Sequence, residues 1–311
     1  MAFGHGKVIL LGEHSVVHGR PALALAVERG AEVTATAVTG ATARAVTTLH
    51  IEPWNVDVDT GDEPNLGREP LQQALKVARA FYEDDAREFA LQATMRVPSG
   101  AGMGSSAALG VAVLRALDDA RGITRPEQEI YERSLDWERV FHGNPSGVDN
   151  AMATYGGMAL FTKGSPLTRV VPRHKVSLVV AYSGSSSSTK LMVDSVARQL
   201  AKEPVRMNKA FDAIAAIVRN GQLALETGDF AGLGQLLTLN HKLLSGMMLS
   251  TDVLEEMIAA ALAAGALGAK VTGAGGGGCM VALVDSPEAR AAVSAALQQL
   301  GKTVYDVESG A

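Results

Sequence analysis

The chain of 311 residues is long enough for two globular domains at roughly 150 residues each, and its 47% hydrophobic and 20% charged residues exclude a disordered chain and a disulfide-stapled miniprotein. Its 28 Lys and Arg against 33 Asp and Glu leave a net charge of −5, too mild and of the wrong sign for a nucleic-acid coat. The single cysteine, Cys279, excludes an intramolecular disulfide and a cysteine-rich zinc site and fits a reducing compartment. Residues 1–6 lack a basic n-region, and the apolar run 8–11 is too short for a signal peptide. The longest uncharged stretch, 97–114, spends eight of its 18 residues on Pro98, four glycines and three serines, unlike a membrane span. We therefore expect a cytoplasmic protein with no nucleic-acid and no membrane partner, its oligomeric state open, a homodimer included.

In chain order, alternation and β-branched residues predict strands at 7–11, 22–27, 32–38 and 43–51. A helix follows at 69–82, where Leu71, Leu75, Ala78 and Tyr82 recur at helical spacing, and then a strand at 89–97. The pattern turns helical at 105–121 and again from Glu127, just after Pro126, to 141. Strands resume at 158–161 and 176–182. The serine cluster 183–188 is short and reads as a functional or connecting loop, not a flexible linker. From Thr189 several helices run to about 264, followed by strand, glycine turn, strand, helix and strand to 307. The shift from sheet-rich to helix-rich sequence places a domain boundary near 172, giving domains 1–172 and 173–311 of α+β class without an internal repeat.

Four segments carry candidate chemistry. In Val97-Pro98-Ser99-Gly100-Ala101-Gly102-Met103-Gly104-Ser105-Ser106-Ala107-Ala108 a glycine and serine loop leads from a strand into a helix. Glycines let the backbone approach a ligand, and a helix start offers unpaired amides, so this is an anion cradle or an ordinary strand-to-helix turn. It lacks the lysine of a Walker loop. Lys270-Val271-Thr272-Gly273-Ala274-Gly275-Gly276-Gly277-Gly278-Cys279 matches G-x-G-x-x-G formally, but the β-like run after it contradicts a dinucleotide site, which opens a helix. A glycine hairpin packed on another loop is the alternative, with Cys279 a small buried residue.

Gly6-Lys7-Val8-Ile9-Leu10-Leu11-Gly12-Glu13-His14-Ser15-Val16-Val17-His18-Gly19 puts Lys7 before a buried strand and Glu13 with His14 after it, as surface charges or as site residues. The last segment runs Asp136-Trp137-Glu138-Arg139-Val140-Phe141-His142-Gly143-Asn144-Pro145-Ser146-Gly147-Val148-Asp149-Asn150. Tyr131, Leu135, Glu138 and His142 recur at helical spacing beside the Ile130, Trp137 and Phe141 stripe, which turns Glu138 inward. Asp149 falls in an apolar-flanked turn, as a helix cap or as a buried acid in need of a partner.

Together these motifs, at 6–19, 97–108 and 270–279, resemble those of the GHMP small-molecule kinases in order and spacing. Within that family the likeness is to the branch acting on mevalonate, which carries G-K-x-I-L-x-G-E-H-x-V-V-x-G and H-G-N-P-S-G-V-D-N; Ser15-Val16-Val17 stands where galactokinases show Thr-Asp-Tyr. The resemblance implies a two-domain GHMP kinase fold, with an N-terminal domain like ribosomal protein S5 and a C-terminal ferredoxin-like domain. It implies Mg2+ with ATP as co-substrate, bound through Pro98, Gly100, Ala101, Gly102, Met103, Gly104, Ser105 and Ser106, with Trp54 and Asn55 bordering adenine. Ser106 and Glu138 are the implied Mg2+ ligands, and Asp149 the base or orienter of the acceptor hydroxyl. Lys7 is implied to pair with Asp149, and Glu13, His14 and Thr189 to meet mevalonate.

Two departures stand out. His5-Gly6 replaces the family's Pro before Gly-Lys, and Ser187 occupies the place of an Arg that precedes the threonine by two in animal members. The rival readings are a GHMP kinase for another acceptor, such as phosphomevalonate or a sugar, and a non-catalytic nucleotide sensor.

Overall fold

The structure is a computed structural model that describes residues 1–38, 46–82, 85–98, 100–143 and 145–309. The chain divides into two compact units, each discontinuous in sequence. The first comprises Met1–Gly6, Arg29–Pro98 and Gly104–Tyr155, and the second Lys7–Glu28, Ser99–Met103 and Gly156–Ala311.

The long strand β2 (Ala22–Ala37) contributes its first part to the second unit and its later part to the first. Its sequence changes character accordingly: Ala22 to Val27 is uniformly apolar and buried on both faces, whereas from Glu32 onward buried and exposed residues alternate, as in a strand with one wet face. The two strands expected at 22–27 and 32–38 are one continuous strand. Gly30 marks a close approach, since a Cβ there would lie 1.9 Å from the Gly4 carbonyl oxygen.

In the first unit the order is β4 (Val56–Asp59), β3 (Thr48–Glu52), β5 (Phe89–Met95), β2, with β3 and β5 parallel and the other pairs antiparallel. The predicted strand at 43–51 begins later than expected, and its residues 43–45 lie outside the described ones. Thr47 shows why: its hydroxyl donates to Glu88 at 2.5 Å and accepts the Phe89 amide at 3.2 Å, taking over a bond a ladder would use. Helices α1 (Glu69–Ala80) and α2 (Ser105–Arg121) pack on this sheet, and α3 (Glu127–His142) and α4 (Val148–Tyr155) pack on those helices. The α2 and α3 starts fall where the sequence places them, α3 directly behind Pro126. Helix α4 was not expected; eight residues give too little periodicity to register.

In the second unit, β6 (Met158–Phe161) pairs antiparallel with the first part of β2, and β7 (Thr168–Arg169) extends β6. A separate antiparallel sheet has the order β11 (Thr303–Glu308), β8 (Ser177–Tyr182), β10 (Cys279–Val284), β9 (Gly268–Thr272). Helices α5 (Thr189–Lys202), α6 (Pro204–Thr227), α7 (Phe230–Gly246), α8 (Asp252–Ala263) and α9 (Pro287–Gln299) complete it. Val179, Ile258, Val271, Met280, Val293 and Leu297 interlock in one core of α8, α9 and the sheet. Among the described residues no helix is long and apolar enough to cross a membrane.

Candidate active site

The glycine loop ends in the first unit at the foot of α2. Gly104 adopts φ 72°, a left-handed conformation that suits glycine, and turns the chain into the helix. Pro98, Gly102, Gly104, Ser105 and Ser106 are half-buried, Gly100 is exposed, and Ala101 and Met103 are buried. The Ser106 hydroxyl donates to the Glu138 carboxylate on α3, and His142 Nε2 stands 3.4 Å from the other carboxylate oxygen. Glu138 is only 2% exposed, facing inward as its helical spacing predicts. Two hard oxygen donors therefore meet at one helix start. Among the described residues no cluster of three or more His, Cys, Asp or Glu side chains is placed to hold a metal. The Ser106 and Glu138 oxygens suit Mg2+, which takes few protein ligands and keeps waters and phosphate oxygens for the rest.

The part of β1 (Ala2–Leu11) that belongs to the second unit begins at Lys7, which meets the part of the glycine loop in the same unit. The Lys7 amide donates to Met103 O at 2.9 Å, and its ammonium to Gly102 O at 2.7 Å. Lys7 is 2% exposed, so neither it nor Glu13 is a surface charge. The strand continues without interruption through His5-Gly6, where the family's proline is missing.

Glu13 is fully buried and ion-paired with the equally buried Lys270 of β9. Lys270 also donates to Val271 O at 2.5 Å, while the Thr272 hydroxyl brackets Ile9, accepting from its amide and donating to its carbonyl at 3.1 Å each. Burial pushes the Glu13 carboxyl up and the Lys270 ammonium down, each partner opposing the other's shift. Glu13 Oε2 has no hydrogen-bond partner among the described residues. His14, with φ 59°, donates from Nε2 to Ala274 O at 2.8 Å; a carbonyl only accepts, so Nε2 carries the proton. Burial lowers the His14 pKa to about 4.

The second glycine cluster forms the β9–β10 turn and leads into a strand, as its sequence context requires, not a helix. It packs on neighbouring loops: the Cys279 amide donates to Ala101 O at 3.1 Å, the Gly278 amide to Ser185 O at 2.8 Å, and the Ser187 hydroxyl to Gly275 O. Burial pushes the Cys279 thiol up to about 12, which suits a packing residue. Thr189 is the exposed first residue of α5, behind the Ser188 cap. Asp149 is half-buried, one residue inside the start of α4 and so not its cap; Asn144 upstream lies outside the described residues. Trp54, half-buried, and Asn55, exposed with φ 49°, lie between β3 and β4.

Sequence reading passed over Lys270, Thr272, Asn240 and Trp137. Asn240 Oδ1 accepts the Gly12 amide at 3.1 Å. Trp137 donates to Ser106 O at 3.1 Å. Lys270 left the clearest trace, a lone lysine in an apolar strand of a chain that also holds a lone glutamate after another apolar strand.

The family model described as GHMP kinases N terminal domain matches residues 71–157, and the one described as GHMP kinases C terminal matches residues 209–303. The chain belongs to the GHMP kinase family and is a kinase that phosphorylates an alcohol. Within that family it groups with the mevalonate kinases. It is 33% identical to the mevalonate kinase of Thermococcus gammatolerans, covering 97% of this chain and 94% of the relative. It is also 33% identical to that of Methanothermobacter thermautotrophicus, covering 89% and 87%. The crystal structure of L. major mevalonate kinase in complex with R-mevalonate matches with a TM-score of 0.85 at 29% identity, covering 99% of this chain and 96% of that one.

Proposed function

We propose that the protein transfers the γ-phosphoryl group of Mg-ATP to the 5-hydroxyl of mevalonate. The observation that carries the kinase chemistry is the Ser106 hydroxyl held on the buried Glu138 carboxylate at the start of α2. Phosphoryl transfer depends mainly on positioning and charge neutralisation, so it calls for backbone amides, a metal, a cation and an acid for the acceptor. In this reading Pro98 and Gly100 through Ser106 cradle the phosphates, Ser106 and Glu138 hold Mg2+, and Trp54 and Asn55 border the base. Bound Mg2+ would neutralise charge on the phosphate oxygens.

Asp149 orients the 5-hydroxyl and takes its proton as the oxygen attacks phosphorus and ADP leaves; Lys7 offsets charge developing on the attacking oxygen. Glu13, whose Oε2 lacks a partner among the described residues, and His14, whose Nδ1 lone pair remains for a hydroxyl donor, supply acceptor contacts with Thr189. The cytoplasmic location and the division into 1–172 and 173–311 belong to the same proposal; the two family matches fall on either side of that boundary. The test is ADP release across a panel of mevalonate, 5-phosphomevalonate, galactose and homoserine. Mevalonate should be used far better than the others, and equal or faster turnover of another acceptor overturns the assignment.

A further inference from the structure

The Ser106–Glu138 pair does not stand on its own hydrogen bond. Glu138 follows Trp137 on α3, and Trp137 is 1% exposed, among the largest fully buried side chains of the protein. Its indole N–H donates to the carbonyl oxygen of Ser106 at 3.1 Å. Consecutive residues of α3 thus hold one residue of α2 at two points, Trp137 by the carbonyl and Glu138 by the hydroxyl. The ring reaches that place because residue 110 is glycine. A Cβ on Gly110 would lie 2.6 Å from Trp137 Cδ1 and 2.9 Å from Nε1, so any larger residue displaces the indole.

We propose that Trp137 is a positioning residue for the metal-nucleotide site: by tying the first turn of α2 to α3 it sets where the Ser106 hydroxyl stands relative to Glu138. The inference rests on the assignment of Ser106 and Glu138 to Mg2+. Mutating groups that orient a metal's ligands typically costs roughly 10- to 100-fold in its affinity. The orientation is directional. The Ser106 carbonyl lies in the first turn of α2, and an indole, which donates one hydrogen bond and accepts none, can bind it in a single way.

The test is Trp137→Phe, which keeps an aromatic ring against Gly110 and removes the N–H together with part of the indole's bulk. Binding of ADP, titrated with Mg2+ by calorimetry, needs no acceptor and so reads this site whatever the acceptor is. Trp137→Phe should raise the half-saturating Mg2+ roughly tenfold. The mevalonate KM should stay within about twofold. Gly110→Ala, which pushes the ring away but leaves its N–H, should reproduce the shift. An unchanged Mg2+ requirement in folded Trp137→Phe overturns the role of Trp137 while leaving the kinase reading intact. Wild-type protein that binds no Mg-ADP overturns the kinase reading, and this inference with it.

Should Trp137→Phe not fold, the wild type carries the same question, because the chain has only 2 tryptophans. The indole N–H resonance of Trp137, assigned by its persistence in Trp54→Phe, should shift as Mg2+ is added in the presence of ADP. A resonance that stays put at saturation overturns the proposal.

Discussion

Glu138 and Glu13 are both withdrawn from water, at 2% and 0% exposure, yet their surroundings differ in kind. Glu138 is met by a neutral hydroxyl, that of Ser106, and by an imidazole at 3.4 Å. Glu13 is met by a lysine ammonium buried as completely as itself, and that same ammonium donates to Val271 O of its own strand and to Ile9 O of β1. A carboxylate matched by hydroxyls keeps most of its negative charge for a cation that arrives later. A carboxylate matched by a buried lysine has already spent that charge inside the protein. The first arrangement suits a metal site, and the second ties β1 to β9 while leaving one oxygen, Oε2, for a neutral contact.

The comparison breaks most visibly at Lys270. Lys270→Met leaves the Glu13 carboxylate buried without its countercharge, and should cost about 3–5 kcal/mol of stability in urea denaturation. The double variant Glu13→Gln with Lys270→Met should recover most of that loss, since no uncompensated charge remains. A single variant within about 1 kcal/mol of wild type would mean that the pair is not what holds β1 to β9.

His14 sharpens the same region through pH. Its folded pKa of about 4 lies below the ordinary value of 6.5. Above the ordinary value the side chain is neutral in both states, and its contribution is fully present. As pH falls from 6.5 towards about 4 the unfolded chain takes up a proton that the folded chain refuses, so stability declines, by roughly 3 kcal/mol in all. The stability difference between wild type and His14→Gln should change across that window and be flat above it; parallel curves would remove the effect.

How far these sites could be read beforehand follows the same contrast. Helix α2 matched its expected bounds because Gly104 and Gly122, both left-handed, flank a segment whose residues 107–114 form an unbroken apolar run. Glu138 was legible because its partners repeat along a single helix. The Glu13 and Lys270 pair was not, because 257 positions separate them and only the folded chain brings them together. The strands expected at 22–27 and 32–38 run together as β2, and Gly30 between them is a packing contact. The departure at His5-Gly6 left open the shape of the backbone there, and strand pairing settled it by running β1 straight through.

On the other side of the comparison, the effects belong to turnover and not to folding. Glu138→Gln keeps the shape of the side chain and should lower turnover with Mg-ATP by on the order of 10²-fold, with little change in the urea midpoint. Unchanged Mg2+ dependence in that variant would remove Glu138 from the metal. Asp149→Asn should keep the fold and lower kcat by on the order of 10²-fold or more. Near wild-type turnover with intact ATP binding would take the acceptor proton away from Asp149.

The smallest expected effect concerns the acceptor's carboxylate. Ser187 stands where animal members carry an arginine, and its hydroxyl is committed to Gly275 O. Between positions 185 and 189 what remains is neutral: the exposed Thr189, Ser185, Ser186, and the Ser188 hydroxyl, which accepts the Leu191 amide at 3.4 Å; the next cation in sequence is the exposed Lys190. Hydroxyls and amides bind a monoanion adequately but do not offset a second charge as a guanidinium would. The protein should therefore bind mevalonate better than dianionic analogues of similar size. A single neutral hydrogen bond contributes about 0.5–1.5 kcal/mol, so Thr189→Ala should raise the mevalonate KM by roughly 2- to 10-fold and leave the ATP KM unchanged. Restoring the guanidinium with Ser187→Arg should improve binding of dianionic analogues more than that of mevalonate. Equal rises in both KM values for Thr189→Ala would show that the threonine acts on both substrates alike instead of meeting the acid, and would leave the anion to another group.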